Sequence, residues 1–308
     1  MKENILLVPS GKRVSLIKYL QKEFNCICVD SDYNVASRFV ADSFYQVSPW
    51  SCLDKFIESI THIIKTHNIK AIIPLLDEAT KIILNNQHLY QGIPILGSSN
   101  HLNNICFNKK NTYDFFQSIC IETPRIISNY DGTKAIARKI EGCGSQGVFI
   151  LNDENDWNHL NTKVDRQSYI VTEFIEGNEY TVDCFKDVYC KTVAIVPRLR
   201  ERVNGGEVER ASVVLDQHII ETIKYRIMPN LCFYGAICVQ LIKRNNKLYF
   251  IEINDRCGGG LPLSIEAGVD FNSYINDIIY ISQSIEASNI QELKMIRANM
   301  EFYEEVEQ

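Results

Sequence analysis

The residues best suited to chemistry fall in the last third of the chain, where Gly235-Ala-Ile-Cys-Val-Gln240 precedes Leu248-Tyr-Phe-Ile-Glu252-Ile-Asn254-Asp-Arg256-Cys-Gly258-Gly259-Gly260. Side chains alternate along a β-strand, so Glu252 and Asn254 share a face, and Gln240 on an antiparallel neighbour can sit opposite them. Three oxygen donors with one formal charge suit Mg²⁺, with phosphates and water completing its octahedron. Arg256, two residues on, is placed to grip a transferred phosphate. The plain alternative is a solvated strand face. It fits poorly, because Ile251 and Ile253 already supply a core face.

Three further segments carry weaker signals. Arg138-Lys139-Ile-Glu-Gly142-Cys-Gly144-Ser145-Gln-Gly147-Val148 puts a lysine at a strand end before a glycine-rich loop. Backbone N–H groups of such a loop can approach phosphate oxygens while the ammonium adds positive charge. An ordinary hairpin turn would look the same. Tyr169-Ile-Val-Thr-Glu173-Phe174-Ile175-Glu-Gly-Asn-Glu179-Tyr180 runs from an apolar strand into acidic residues at a glycine turn. Its backbone can bond an adenine edge and a carboxylate there can accept from ribose hydroxyls, although alone it too is a hairpin. Pro197-Arg198-Leu-Arg200-Glu201-Arg202-Val-Asn-Gly-Gly-Glu207, if extended, aligns three arginines on one face, where an anion would be stabilised. Surface charge partnered by Glu201 and Glu207 is the alternative.

The elements that must position these residues change character along the chain. Residues 5–8, 26–29 and 71–76 are short apolar runs, and 14–24, 53–67 and 78–84 read as helices between and after them. Such alternation implies a parallel, doubly wound sheet whose strand ends face a ligand crevice, bringing Ser10, Asp30 and the loop 74–78 near a site. Asp77 and Glu78 serve equally well as caps of the following helix. After about residue 105 come a helix over 108–119, β segments at 135–140, 148–151, 169–175, 180–185 and 192–197, and a helix over 216–228. Strands at 236–243 and 247–253 and a helix over 271–283 complete the pattern. The fold class is therefore α/β with an appended α+β part.

Composition excludes several functions. The 308 residues, 45% hydrophobic and 23% charged, are enough for one large core or a few small lobes and argue against disorder. A net charge of −6 offers no basic field for nucleic acid. The apolar run 5–8 is too short for a signal segment or a membrane span, so a cytoplasmic protein without a membrane partner is expected. The 11 cysteines include no CxxC pair, as befits reduced, mostly buried thiols, and the 6 histidines lack metal-ligand spacing. Only Gly11 stands in the first turn, so the dinucleotide fingerprint is missing, and Lys12 after it does not make a Walker loop.

Taken together, these segments resemble the ATP-grasp superfamily, in particular the unit similar to that of the carbamoyl-phosphate synthase large subunit, over nearly the whole chain as far as Gly268. The resemblance implies an ATP-grasp fold with a Rossmann-like lobe over 1–105, a small β-rich lid lobe over 106–183 and an α+β lobe over 184–308 that holds the Mg²⁺ and phosphate site. It implies ATP and Mg²⁺ as cofactors, with Mn²⁺ as an alternative ion. Lys109, in Asn108-Lys109 where the family has Asp-Lys, and Lys139, followed by Ile140 where the family has proline, would contact the phosphates. The loop holding Gly142, Gly144, Ser145 and Gly147 would close over them. Glu173, Phe174 and Ile175 would bracket adenine, Glu179 would take the ribose, and Gln240, Glu252 and Asn254 would hold the metal. Lys139, Arg256, Arg200 and Arg202 would neutralise charge during transfer, with Cys143 and Cys257 as bystanders.

The implied reaction is in-line attack of a carboxylate on the γ-phosphate, giving an acyl phosphate and ADP, followed by attack of an amine. The expected partners are a small carboxylate and an amine, and a homodimer is an allowed assembly. Two rivals remain: phosphorylation of carbamate or bicarbonate as in carbamoyl-phosphate synthase, and a nucleotide-binding regulator without turnover. A single ATP-grasp unit with no glutaminase or biotin partner in it speaks against the first. The intact set Lys139, Glu252, Asn254 and Arg256 speaks against the second.

Overall fold

The computed structural model describes residues 2–142 and 147–305. Strands β1 (Glu3–Val8), β2 (Phe24–Asp30), β3 (Ser43–Gln46) and β4 (Ile69–Pro74) form a parallel sheet in the order β3-β2-β1-β4. Ile5 and Leu7 enter one buried cluster with α1 (Val14–Leu20), while Leu6 and Val8 enter another with α2 (Leu53–Thr66) and α3 (Asp77–Asn85). A central parallel strand is buried on both faces, which is why β1 reads as an unbroken apolar run. The edge strand β3 is short and half exposed, and it carries no such run.

Two capped helices follow. Ser99 caps α4 (Asn100–Cys106), and the Asn108 side chain caps α5 (Lys109–Ser118) by accepting from the Lys110 N–H at 2.9 Å. That bond gives Asn108 a local role, since it satisfies a helix donor left without a partner in the first turn. A small antiparallel sheet comes next, β6-β5-β7, made of β5 (Ala135–Lys139), β6 (Phe149–Leu151) and β7 (Tyr169–Glu173). Trp157 and Leu160 of α6 (Glu154–Lys163) pack behind it.

The largest sheet is antiparallel and runs β12-β11-β8-β9-β10-β13. Its strands are β8 (Asn178–Lys186), β9 (Thr192–Asn204), β10 (Glu207–Val213), β11 (Gly235–Arg244), β12 (Lys247–Asn254) and β13 (Lys294–Ile296). β9 extends well past Pro197 and turns into β10 at Gly205 and Gly206, both at positive φ (55° and 81°), as a two-residue hairpin loop requires. One face packs on α4, α5 and α7 (Gln217–Thr222). The other packs on α8 (Leu261–Glu266), α9 (Phe271–Tyr280) and the first sheet. The helix expected over 216–228 is α-helical only to Thr222 and continues as a wider π-helical segment over Ile223–Ile227.

After α9 the chain doubles back. It adds β13 to the sheet edge, then stacks Phe302 on Phe39 of the first lobe with ring centroids 5.0 Å apart. No helix among the described residues is long and apolar enough to cross a membrane.

Candidate active site

A cleft of about 700 Å³ opens between the small sheet and the large one, bordered by the loop after β1. Its floor is the β11–β12 hairpin. Asn245 and Asn246 take left-handed conformations (φ 48° and 62°) in a two-residue loop that pairs Arg244 with Lys247. Counted back from that turn, Gln240 would meet Ile251. A bulge between Gln240 and Leu241 shifts the register, so that Gln240 faces Glu252 and Cys238 faces Asn254. Ile251 is left in the bulge, 9% exposed, and lines the cleft instead of supplying a core face as expected from alternation. Ile253, at 1%, does enter the core.

The floor's polar groups are differently partnered. The side chains of Gln240 and Glu252 make no hydrogen bond or ion pair with a described residue, whereas Asn254 Oδ1 accepts from Arg256 Nη2 at 3.4 Å. Two oxygen-bearing side chains facing each other without a donor among the described residues, next to a third, match the hard-oxygen set that Mg²⁺ takes. The donor chemistry thus fits the ion. Arg256 is held by Asp77 of α3, with its Nε 2.7 Å from Oδ1 and its Nη2 3.1 Å from Oδ2. Burial works against the Arg256 charge, but Asp77 more than offsets it and the guanidinium stays above its usual range. Asp77 therefore joins the first lobe to the floor, while Glu78 makes no such contact among the described residues. The neighbouring Asp255 is buried, which pushes its carboxyl upward, and it accepts from Asn103 of α4 at 2.9 Å and from Ser98.

Strands β8 to β10 form the wall. Arg198 is fully buried in a two-pronged bond to Asp183, 2.8 Å on each arm, and Ser264 donates to the same carboxylate at 2.6 Å. Gly260 makes room for it, since a Cβ there would lie 1.9 Å from Arg198 Nη1. Arg200 lines the cleft with its Nε 3.2 Å from Glu179 Oε1, and it donates to the Gly206 carbonyl at 3.3 Å. Arg202 lies further out along the hairpin, 69% exposed and paired with Glu209 at 2.9 Å, away from the cleft lining. The structure therefore separates three arginines that share one face in sequence.

The roof comes from the small sheet. Lys139 ends β5 and lines the cleft, and Lys109 lines it too, donating through Nζ to the Gly142 carbonyl at 2.9 Å. Gly147, at φ +67°, is pressed close to Lys139, with a Cβ there 3.0 Å from Lys139 Cε and 2.8 Å from the Tyr169 hydroxyl. Gly144 and Ser145, with Cys143 and Gln146, lie outside the described residues. Ile140 is buried with Tyr113 and Ile170, which accounts for an apolar residue at that position. Glu173, Phe174, Ile175 and Glu179 all border the cleft. The Glu173 carboxylate accepts from the Arg125 N–H at 2.9 Å, and the Phe174 ring lies 4.4 Å under Lys134 Nζ.

Some lining residues were given no role by the sequence, among them Lys134 and Arg13, which lie outside every motif. Lys134 and Arg138 belong to the roof, and Arg13, Glu207 and Gly259 close the end nearest the first lobe. Ser10 and Asp30, expected near the crevice, bond within their own lobe instead: Ser10 Oγ meets Ser37 Oγ at 2.7 Å, and Asp30 Oδ2 accepts from the Gly11 N–H at 2.9 Å. Arg13 follows the same strand end, so topology gave the place and only the turn decided which residue reaches it.

Residues 165–297 match the model of a family described as ATP-grasp in the biosynthetic pathway with Ter operon, and residues 5–96 match the PylC-like N-terminal domain. Residues 165–297 thus carry the ATP-grasp family match, and the chain as a whole has the ATP-grasp fold. It is 22% identical over 283 residues to the arginine-specific carbamoyl phosphate synthase large chain of Halalkalibacterium halodurans, a match covering 82% of this chain and 25% of that one. The chain spans about a quarter of the length of the curated relatives it matches. The ATP-grasp fold is shared with the ADP complex of N5-carboxyaminoimidazole synthetase from Staphylococcus aureus, at a TM-score of 0.75, 14% identity, and coverage of 97% of this chain and 83% of that one. It is likewise shared with the L-amino acid ligase of Bacillus licheniformis, at a TM-score of 0.71, 11% identity, and coverage of 90% and 74%.

Proposed function

We propose that this ATP-grasp chain is a carboxylate–amine ligase that activates a small acid as an acyl phosphate at the expense of ATP and joins it to an amine. The observation that carries the reading is the pair Gln240 and Glu252, facing each other beside Asn254 without a side-chain partner among the described residues, on a floor opposite Lys139 and Lys109. Phosphoryl transfer demands positioning and charge neutralisation more than a protein nucleophile. Lys109 and Lys139 would hold the phosphates from above, with Arg256 and Arg200 meeting charge from the floor and wall. Mg²⁺, held by Gln240, Glu252 and Asn254, would supply further neutralisation at the phosphates. Glu173, Phe174 and Ile175 would bracket the adenine, and Glu179 the ribose. In this reading residues 1–105, 106–183 and 184–308 act as three lobes around a cytoplasmic reaction on small molecules, and a homodimer is compatible with it.

The test combines melting and turnover. Mg·ATP should raise the melting temperature, by about 2.7 kcal/mol of added stability at a hundredfold excess over Kd, while NAD should not. ADP release should require an acid and rise with an amine across a panel of acids that includes bicarbonate. Stabilisation by NAD and not by ATP would overturn the class of ligand. Release with bicarbonate alone would replace the carboxylate with a carbonate-type acid.

A further inference from the structure

Three cations converge on one carboxylate where the first lobe meets the large sheet. Glu207, at the start of β10, lies 3.1 Å from Lys12 Nζ, 3.7 Å from Arg13 Nη1 and 3.3 Å from Arg297 Nη1. One negative charge against three positive charges leaves two unmatched. Lys12 is exposed at the rim, and Arg297, brought in by the C-terminal tail, donates through Nη2 to the Gly259 carbonyl at 2.6 Å. Arg13 differs from both. Its side chain is only 15% exposed, its contact with Glu207 is longer than a hydrogen bond, and its guanidinium forms no hydrogen bond with a described residue. Burial lowers its pKa, and although Glu207 opposes this, Arg256 and Arg297 push the same way.

None of the Arg13 nitrogens is sealed from solvent, so water in the cleft can accept from this mostly buried guanidinium and an anion can take the place of that water. The orientation of Arg13 is imposed: a Cβ on Gly259 would sit 2.5 Å from Arg13 Nη1, so the glycine run allows the fork to lie against the backbone and face the cleft. Arg256 and the oxygen trio occupy the floor side of this same glycine loop, and Arg13 occupies the first-lobe side. A molecule whose reacting carboxylate lies beside the phosphate that Arg256 grips can therefore reach Arg13 with its far end. We propose that the acid substrate carries a second anionic group, carboxylate or phosphate, beside the carboxylate to be activated, and that Arg13 binds it. This rests on the ligase reading above. Glu207, already matched by Lys12 and Arg297, orients Arg13 without saturating it, and a planar fork is suited to either anion.

Isothermal titration of the full chain, first with Mg·ADP and then with glutarate, 2-phosphoglycolate or butyrate, tests the assignment. Glutarate or 2-phosphoglycolate should bind about tenfold or more tightly than butyrate, the gain expected of one charge-assisted two-pronged contact. The tighter of glutarate and 2-phosphoglycolate identifies carboxylate or phosphate as the group recognised. Arg13→Gln should abolish the preference and Arg13→Lys should keep part of it, with Mg·ADP affinity unchanged in both. Butyrate binding as tightly as glutarate and 2-phosphoglycolate, no binding of any of the three, or a preference that survives in Arg13→Gln overturns the proposal. Failure of Mg·ADP to bind the parent chain, seen in the first titration, instead removes the ligase reading itself.

Discussion

The floor strands β11 and β12 rest on Leu241, Leu248, Phe250 and Ile253, which pack with Phe116 of α5 and Ile219 of α7 into a broad buried cluster. The roof strands β5 to β7 rest on Ala135, Ala137, Leu151, Tyr169 and Val171, backed mainly by Trp157 and Leu160 of one helix. Buried apolar area scales with stabilisation at roughly 25 cal/mol per Å², so the two sides of one cleft are held with unequal strength. A well-backed hairpin keeps its oxygen-bearing side chains in fixed relative positions, as the proposed charge stabilisation requires. A thinly backed sheet opens at lower free energy, which suits a cover that must admit and release a nucleotide. Division of labour follows from the amount of core behind each sheet.

Removing the proposed metal ligands of the floor is the largest expected perturbation. Glu252→Ala and Asn254→Ala should each lower turnover on the order of a hundredfold or more, with a melting temperature near that of the parent, because each deletes an oxygen donor at the developing charge. Turnover that persists while the melting temperature falls would make these residues structural and erase the contrast. On the roof side, Lys139→Ala should weaken Mg·ATP binding by about tenfold, the scale of one charge-assisted contact. Hydrogen exchange should then show β5 and β7 amides slowing on addition of Mg·ATP in the parent, much less in the variant, and hardly at all in β11 and β12. Equal protection of both sheets would mean that the roof is as rigid as the floor.

The smallest effect belongs to Glu207, where the wall meets the first lobe. Burial alone would raise its carboxyl, but Arg13, Lys12 and Arg297 hold it below the ordinary value. A carboxylate with a lowered folded pKa adds stability that is present above its unfolded value, near 4.3, and is lost as pH falls through the folded value. Melting of the parent should therefore decline on acidification below about pH 4.3, and Glu207→Gln should flatten that part of the curve. An unchanged acid limb in the variant would assign the loss to other carboxylates.

Much of this architecture was legible before any coordinates. The apolar runs at β1, β2 and β4 and the helical periods between them specify a parallel sheet, because a strand buried on both faces has few alternatives to aliphatic residues. Gln240, Glu252, Asn254 and Arg256 stood out because polar residues recur with the period of a strand. The short strands β3 and β13 did not, since neither carries a periodic apolar pattern, and α6 is polar along most of its length. Asn108 and Ile140 departed from the family pattern, yet each has a local reason, a helix cap and a buried contact, visible only in place.

The sequence by itself determined the order of strands and helices, the strand and glycine segments around the cleft and the types of oxygen donor on its floor, because these depend on local periodicity and side-chain chemistry. Tertiary structure alone decided how they meet. The bulge at Ile251 exchanges that residue for Glu252 opposite Gln240, a one-residue shift that no alternation can announce, since both registers share the same hairpin turn. The pairing of Asp77 with Arg256, the outward placement of Arg202 and the convergence of Lys12, Arg13 and Arg297 on Glu207 likewise join residues far apart in the chain. Coulomb energies depend on separation and burial, and those quantities exist only once the sheets have packed.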